Sequence, residues 1–358
     1  MKSGGILIAS DLHAHTWSRF ASTRPDGKNS RFADLLDVLD QIETAIAEHG
    51  PDTLVLLGDL THRRYFVQFS TYTPLMAWTA RMIDRYQLDV IVVVGNHDIE
   101  STGHHALGPF QFIPGVTVVD RPRALPIKRF GRAVFVPYMP DDRVPTAFRE
   151  YLDTLGPEDE ESRLAFTHFA LDGHVLNTDH EYALPTSLRY DDVACFERVF
   201  FGHVHTPCTE RNEQLVYVGA PLHFDFGDQD ERYCWYVEPT AKGTVHPIEL
   251  FAPQFVTARY PRVPICALPK SGFLRVLNTP ASMFAEIKRT ALDVGWLACE
   301  PVTEAMPREA VRVLSSGIVA DERLVREYVE RYHAVLDEDS RARLLATGLR
   351  YLAEATNA

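Results

Sequence analysis

From residue 6 to about residue 250, short apolar runs alternate with longer amphipathic stretches. Ile6–Ser10, Thr53–Leu57, Val90–Val94, Ala133–Val136, Leu164–Phe166 and Arg198–Phe201 are short, largely apolar segments of strand length. That pattern predicts strands buried on both faces. Between the first two, Phe32, Leu35, Leu36, Leu39, Ile42 and Ile46 recur at helical spacing and predict a helix over Phe32–Glu48. Thr73–Tyr86 predicts another. Strand–helix–strand repetition implies an α/β sheet with helices on its faces. Leu215–Val218 and Tyr233–Val237 are strand-like with no long helix between them, so the sheet is expected to be mixed.

After Phe251-Ala252-Pro253 the pattern changes. Phe273–Leu277 reads as a strand, Ser282–Val294 as a helix and Trp296–Cys299 as a returning strand, a β-α-β module. Thr279 and Pro280 have the residue types of a helix cap and first helical position. Two further helices are expected at 321–335 and 338–355. Their apolar stripes are Leu324, Val325, Tyr328, Val329 and Tyr332, and Leu344, Leu345, Leu349 and Leu352. Such a pair is too small for a core of its own and must dock on this chain or on a partner.

Composition narrows the class. With 46% apolar and 24% charged residues the 358-residue chain is an ordinary globular one, expected to hold one large domain plus appendages. No apolar run approaches the roughly 20 residues of a membrane span. Met1-Lys2-Ser3-Gly4-Gly5 runs into the first strand without a charged-then-apolar leader, so a cytoplasmic location and no membrane partner are expected. Five widely spaced cysteines form no C-x-x-C pair, which argues against a disulfide framework or a thiolate zinc site and for free, largely buried thiols. The net charge of −13 argues against nucleic-acid binding by bulk electrostatics and suggests that tight DNA binding needs a partner or a local basic patch. It leaves room for a metal-dependent nuclease, whose carboxylates count as negative until cations arrive.

Five short motifs stand at the ends of the expected strands. They are Asp11-Leu12-His13, Gly58-Asp59, Gly95-Asn96-His97-Asp98, Thr167-His168 and Gly202-His203-Val204-His205. Carboxyl ends of neighbouring strands converge in space, where open α/β sheets bind ligands. Imidazole and carboxylate without thiolate suit Mn, Fe, Zn or Ni better than Mg or Ca alone. Seven donors exceed one four-coordinate ion and fit two ions sharing a carboxylate, which could clamp a phosphate and activate water. The glycines before Asp59, Asn96 and His203 are expected to let the backbone turn sharply. Each fragment alone is weak, but five in this order, each after an apolar strand, are specific.

The order D-x-H, G-D, G-N-H-D, H, G-H-x-H resembles the calcineurin-like metallophosphoesterases. The resemblance implies a four-layer α-β-β-α sandwich. It implies that Asp11, His13, Asp59 and His205 hold one metal, and that Asp59, Asn96, His168 and His203 hold the other. It also implies that His97 protonates the leaving oxygen and that Asp98 orients His97. Gly58-Asp59-Leu60-Thr61-His62 resembles the nuclease subunit of SbcCD/Mre-type recombination complexes, with His62 supporting His97 and the phosphate. Gly219 to Asp228 resembles the G-S-P-x-x-x-D-F-G-E stretch of the same proteins, and Arg326 to Thr356 resembles the tail of phage recombination endonuclease subunits. On this basis the expected divisions are a nuclease domain at 1–252, a small α/β capping or DNA-binding domain at 253–312 and a helical ATPase-binding tail at 313–358. The implied function is a DNA exo- or endonuclease with two divalent ions, Mn foremost and Mg, Fe or Zn as options. The implied partners are DNA, an SMC/ABC-type coiled-coil ATPase and a second copy of the chain. Two other functions fit the same motifs: a phosphatase or phosphodiesterase for small nucleotides, and a non-catalytic scaffold.

Other residues carry two readings each. His15 could face solvent or substrate or, less expectedly, ligate a metal, and His62 could support catalysis or merely begin a helix. Arg63 and Arg64 could be surface charges or DNA contacts. The loop Trp17–Arg31, with Trp17, Arg19, Phe20, Arg24, Lys28 and Arg31, could stack and steer nucleic acid or be an ordinary loop. His223 could stand at the rim of the site. His104, His105, His174 and His180 need no function, and Glu158-Asp159-Glu160-Glu161 reads as a solvated turn.

Overall fold

The computed structural model describes residues 4–101, 103–152, 164–174, 186–228, 230–240, 243–261, 272–303, 329 and 338–356. The first half runs β1 (Ile6–Ala9), α1 (Ser30–His49), β2 (Thr53–Leu57), α2 (Phe69–Tyr86), β3 (Asp89–Val93), β4 (Ile99–Ser101), β5 (His104–His105), β6 (Val116–Val119), β7 (Arg123–Ile127) and β8 (Gly131–Val136). Then follow α3 (Val144–Leu152), β9 (Leu164–Thr167), α4 (Tyr190–Val193), β10 (Arg198–Phe201), β11 (Cys208–Glu210), β12 (Leu215–Tyr217), β13 (Arg232–Val237) and β14 (Val245–Leu250). The rest comprises β15 (Gln254–Arg259), β16 (Gly272–Leu277), α5 (Phe284–Asp293), β17 (Ala298–Pro301) and α6 (Glu338–Thr356).

Two six-stranded sheets carry the architecture, in the orders β14-β13-β1-β2-β3-β6 and β11-β12-β10-β9-β8-β7. Each has four parallel strands, with antiparallel pairing at one margin of the first sheet and at both margins of the second. Successive side chains on a strand point to opposite faces. Ile6, Ile8, Val55 and Leu57 therefore turn inward to meet Phe135, Phe166, Phe200 and Val216 of the other sheet. Leu7, Leu54 and Leu56 turn outward onto Leu35, Val38, Leu39, Ile42, Trp78 and Met82 of α1 and α2. Val134, Val136, Val199 and Phe201 of the second sheet pack with Phe148 of α3 and Val193 of α4. Both faces of both sheets are covered, which is why the strands read as unbroken apolar runs. The result is the expected four-layer α-β-β-α sandwich. Its centre is a stack of rings, Phe166 lying 4.7 Å from Phe135 and 5.0 Å from Phe200. Truncating Phe166 to alanine would cost about 3–5 kcal/mol.

Helix α1 starts at Ser30 because Asn29 caps it, its side-chain oxygen accepting from Phe32 N at 3.1 Å. It ends at Gly50, whose left-handed φ of 58° lets its N–H donate to the Ile46 carbonyl. Helix α2 begins at Phe69, before the expected Thr73, and carries Pro74 inside it. A proline normally marks a first helical position, so the sequence pattern places the start too late. The antiparallel margins β7, β11 and β14 were not expected: they are short or interrupted by Pro126 and Pro247, and half exposed.

Beyond Phe251 a third sheet runs in the order β15-β16-β17, all parallel, with α5 packed on β17. The expected β-α-β elements are present, preceded by β15. Thr279 does not cap the helix. Its hydroxyl donates back to the Val276 carbonyl at 2.9 Å, a 3-10 turn over Ala281–Met283 intervenes, and α5 starts at Phe284. Residues 1–303 form one compact unit, and residues 304–358 a second that contains α6. The expected helix at 321–335, apart from Val329, lies outside the described residues, as do Glu158–Glu161 and His180. Among the described residues no helix is long and apolar enough to cross a membrane.

Candidate metal centre and active site

All five motifs lie where their strands end. Asp11 and His13 follow β1, Asp59 follows β2, Asn96 to Asp98 follow β3, His168 follows β9, and His203 and His205 follow β10. Four of these residues adopt left-handed backbone, with φ of 55° at Asp11, 43° at His13, 51° at Asp59 and 75° at His203. Non-glycine residues rarely do so, and such outliers gather at functional sites. The turns are held by β1-to-β2 hydrogen bonds that continue past the strands. Asp11 N donates to the Gly58 carbonyl at 3.0 Å and His13 N to the Asp59 carbonyl at 2.8 Å.

Of the three motif glycines only Gly58 has a left-handed φ, 90°. Gly95 and Gly202 serve close approach instead of sharp turning. A Cβ at Gly95 would sit 2.3 Å from both the backbone nitrogen and Oδ1 of Asp59, and one at Gly202 would sit 2.4 Å from the Leu57 carbonyl oxygen.

The side chains form two adjoining clusters: Asp11, His13 and His205 in one, Asp59, His168 and His203 in the other. Asp59 joins them, its Oδ2 lying 3.7 Å from His13 Nε2 and 3.4 Å from His168 Nε2. Its Oδ1 accepts from His97 N at 2.7 Å. Asn96 Oδ1 lies 3.1 Å from His168 Nε2 and 2.9 Å from His203 Nδ1. His168 donates from Nδ1 to the Leu57 carbonyl at 2.8 Å, which turns Nε2 toward Asp59 and Asn96. Such an outer hydrogen bond fixes the tautomer a metal-binding imidazole needs.

This donor set fits a pair of divalent cations. Asp11 Oδ1 is buried without a hydrogen-bond partner and lies 3.9 Å from Nε2 of both His13 and His205. Those two Nε2 atoms face each other at 3.1 Å. Burial pushes His205 down to about 4 and His203 to about 3, and lowers His13 well below the usual imidazole range. Neutral imidazoles offer lone pairs, so these rings are in the form that binds a cation. Burial, with the nearby charge of Asp59, raises the Asp11 carboxyl to about 7 despite attraction from His168. Burial opposes ionisation of Asp59 too, but attraction and hydrogen bonding from His168 hold its carboxyl below the usual range. Burial disfavours charge on His168 as well, yet Asp59 lifts it to about 10. The buried carboxylates thus draw positive charge to the place where the two clusters meet.

His97 and His62 stand beside the first cluster, their rings stacked at 5.4 Å and an interplanar angle of 17°. Burial and the neighbouring His97 push His62 down to about 4. His97 donates from Nδ1 to the His62 carbonyl at 2.6 Å. Asp98 does not make the orienting contact expected of it. Its buried carboxylate accepts from Thr61 N and Oγ1, both at 2.9 Å, and from Gly95 N at 3.0 Å. It therefore pins the two metal-site loops to each other, and the His62 backbone orients His97.

A cavity of about 420 Å³ opens on both clusters, lined also by Trp17, Arg19, Phe20, Arg31, Phe224, Asp225 and Phe255. Phe224 packs edge-on against His13 and His205, with centroids at 5.0 and 5.3 Å. The Gly219–Asp228 stretch thus reaches the site through Phe224. The ring of His223 is instead buried and bonds through Nε2 to the Asp230 carbonyl at 2.9 Å. Arg232, fully buried, donates to the His205 carbonyl at 2.6 Å and lies 3.5 Å from Asp228, whose Oδ2 accepts from Phe224 N at 2.7 Å. Sequence reasoning missed Arg232, and nothing in its local pattern marks it. His15 packs on Trp17 and His62 and belongs to neither cluster. Arg63 and Arg64 are exposed and line no part of the cavity.

A two-sheet sandwich whose strand ends gather two cation-binding clusters is the frame of a metal-dependent hydrolase. Residues 5–207 match the calcineurin-like phosphoesterases, and the chain belongs to that family. Membership implies dimetal-dependent hydrolysis of phosphoesters. Similar solved structures include a dimetal phosphatase from Danio rerio, 12% identical, covering 66% of this chain and 93% of that one with a TM-score of 0.36. A nuclease from Pseudomonas putida is 18% identical, covering 68% and 87% with a TM-score of 0.28. The phosphoesterase Yfce from E. coli is 16% identical, covering 65% and 87% with a TM-score of 0.30. No curated protein matches the sequence.

Proposed function

We propose that the protein is a Mn-dependent DNA exo- or endonuclease, the nuclease subunit of an SbcCD/Mre-type recombination and repair complex. The observation that carries this reading is the cavity itself. Beside the paired donor clusters stand four aromatic rings, Trp17, Phe20, Phe224 and Phe255, and two guanidinium groups, Arg19 and Arg31. Rings stack nucleobases without regard to sequence, and the exposed Arg19, now paired with Glu300, is the guanidinium that would exchange onto phosphate, while the buried Arg31 donates to the His223 carbonyl at 3.0 Å. The Gly219–Asp228 stretch, which resembles that subfamily, supplies Phe224 to this wall. Its basic groups are local, consistent with a chain whose net charge is −13.

In this reading Asp11, His13, Asp59 and His205 hold one cation, and Asp59, Asn96, His168 and His203 hold the other. When bound, the pair would polarise the phosphate, lower the pKa of water and offset charge that develops on the phosphoryl oxygens. The residues of the chain do the rest. With its Nδ1–H hydrogen-bonded to the His62 carbonyl, the protonated His97 ring delivers the Nε2 proton to the departing sugar oxygen and is left as the neutral Nδ1–H tautomer. Water adds to phosphorus as the P–O bond to that oxygen breaks. The stacked ring of His62 keeps His97 in place. Residues 253–312 would cap the DNA site, and 313–358 would dock on an SMC/ABC-type ATPase, with the nuclease domain pairing with a second copy.

The test is an assay of the full chain with Mn²⁺ on single- and double-stranded DNA and on mononucleotide esters. We expect DNA cleavage that falls by about 10²–10⁴-fold in His97→Ala. Equal cleavage by wild type and variant would remove this site as its source. Turnover of mononucleotide esters far faster than DNA would favour a small-molecule phosphodiesterase.

A further inference from the structure

A second group of donors lies outside the cavity. His174, Cys208 and Glu210 bring an imidazole nitrogen, a thiol sulfur and a carboxylate oxygen within 4.8 Å of one another. None of the three lines the cavity. Cys208 and Glu210 are two residues apart on β11, so their side chains share one face of this edge strand. His174 arrives from the turn after β9, its backbone N–H donating to the Leu171 carbonyl at 3.1 Å.

The imidazole is held in place by packing. It stacks on Tyr217 at 3.8 Å and 10°, and Tyr217 stacks in turn on Phe201 at 4.7 Å. Tyr217 is the cross-strand neighbour of Cys208, so the ring that positions His174 stands beside the thiol. His174 Nδ1 lies 3.6 Å from Glu210 Oε1. Donors around a tetrahedral zinc with bonds of about 2.0–2.3 Å are roughly 3.3–3.8 Å apart, so small side-chain rotations complete the geometry.

We propose that His174, Cys208 and Glu210 form a zinc site, closed by a water, that ties the segment after β9 to the edge strand β11. Thiolate and imidazole together select zinc, whereas the catalytic clusters contain no sulfur. Burial, with the charges of Glu210 and Asp230, raises the Cys208 thiol to about 11. Without a cation it therefore keeps its proton, and on binding that proton is released to solvent as the zinc–sulfur bond forms. Burial keeps His174 below the usual imidazole range, so its lone pair is available. Three protein donors and a water leave one exchangeable position, and the segment the ion would fasten leads from the strand that carries His168.

Cobalt(II) separates this site from the catalytic clusters, because only a thiolate ligand gives a near-ultraviolet sulfur-to-cobalt charge-transfer band, and loss of the band in Cys208→Ser assigns it to this thiol. The full chain, stripped by chelator and titrated with Co²⁺, should develop that band. It should be lost in Cys208→Ser and in His174→Ala, and both variants should carry one zinc fewer per chain after loading with Zn²⁺. No thiolate band in the folded wild type, or an unchanged band in Cys208→Ser, overturns the proposal. Should those variants fail to fold, the exposed Glu210→Gln decides. A Co²⁺ midpoint moved to higher concentration supports the site, and an unmoved midpoint overturns it.

Discussion

His13 and His205 point their Nε2 atoms at each other across 3.1 Å, with the unpartnered Oδ1 of Asp11 3.9 Å from both. Two neutral imidazoles at that distance either share one Nε2–H between them or turn both lone pairs to a cation, and only the cation also gives the buried Asp11 oxygen a partner. Cation binding should therefore stabilise the fold strongly. At a free concentration a hundred times its Kd, one cation contributes about 2.7 kcal/mol. For a domain of this size that is a rise in Tm of roughly 5–10 °C per site. Melting the protein in Mn²⁺ and after chelation measures it. Identical melting curves would mean that the donors do not bind.

Asp59 is the only side chain whose carboxylate oxygen approaches donors of both clusters among the described residues, His13 at 3.7 Å and His168 at 3.4 Å. Asp59→Ala should therefore lower the content of both cations, while His205→Ala should lower one. Metal analysis after gel filtration separates the outcomes. An Asp59→Ala protein that retains two tightly held ions would show that the clusters act independently.

The contacts of Asp98 give it a different job from His97. It satisfies three buried donors, two on Thr61 and one on Gly95. Asp98→Ala would leave two backbone N–H groups without partners, at a cost of about 2–4 kcal/mol. The expected result is a lower Tm together with weakened cation binding, since Thr61 and Gly95 flank Asp59 and Asn96. A variant with wild-type stability and only slower turnover would restore the direct role in catalysis.

These residues also show where sequence reading works and where it stops. The five metal motifs are legible because each combines a continuous apolar strand with polar donors at its end, and both signals are local. Asp98 was legible as part of the site but not in its contacts, since two of its three hydrogen bonds come from Thr61, in another strand-end loop 37 residues away. Phe224 reaches the site from the segment between β12 and β13 and Arg232, on β13, through the His205 carbonyl, and no periodicity marks a residue whose partners are distant in the chain. Thr279 has the residue type of a cap, but its hydroxyl finds a nearer carbonyl, that of Val276. Margin strands such as β7, with Pro126 and several half-exposed side chains, lack the burial that makes strands visible.

If the cavity receives a nucleobase, its aromatic wall should govern substrate affinity more than chemistry. Trp17 lies 4.2 Å from the His62 ring and 5.6 Å from Phe224, so it borders the cavity without touching either cluster. Trp17→Ala should raise KM for DNA by the equivalent of about 1–3 kcal/mol, with kcat changed far less. Steady-state kinetics on a single-stranded oligonucleotide would show the split. A fall in kcat at constant KM would instead place Trp17 in the support of His62 and His97.

Gly58 offers a test of whether the second cluster depends on backbone shape. Its φ is 90°, and a Cβ there would lie 2.1 Å from His168 Nδ1. That nitrogen is the one that donates to the Leu57 carbonyl and so aims Nε2 at Asp59. Gly58→Ala must therefore either displace the His168 ring or shift the β2 turn that carries Asp59. Left-handed strain adds about 1–2 kcal/mol and overpacking about 1–3 kcal/mol. With the His168 ring as the part that yields, the expected outcome is a destabilised protein short of one cation, at the cluster of His168 and His203, while the cluster of Asp11 and His13 still binds. Thermal unfolding with metal analysis would distinguish this from general collapse, in which both ions disappear together. A variant that keeps both ions and its Tm would mean that the turn has room the geometry does not show.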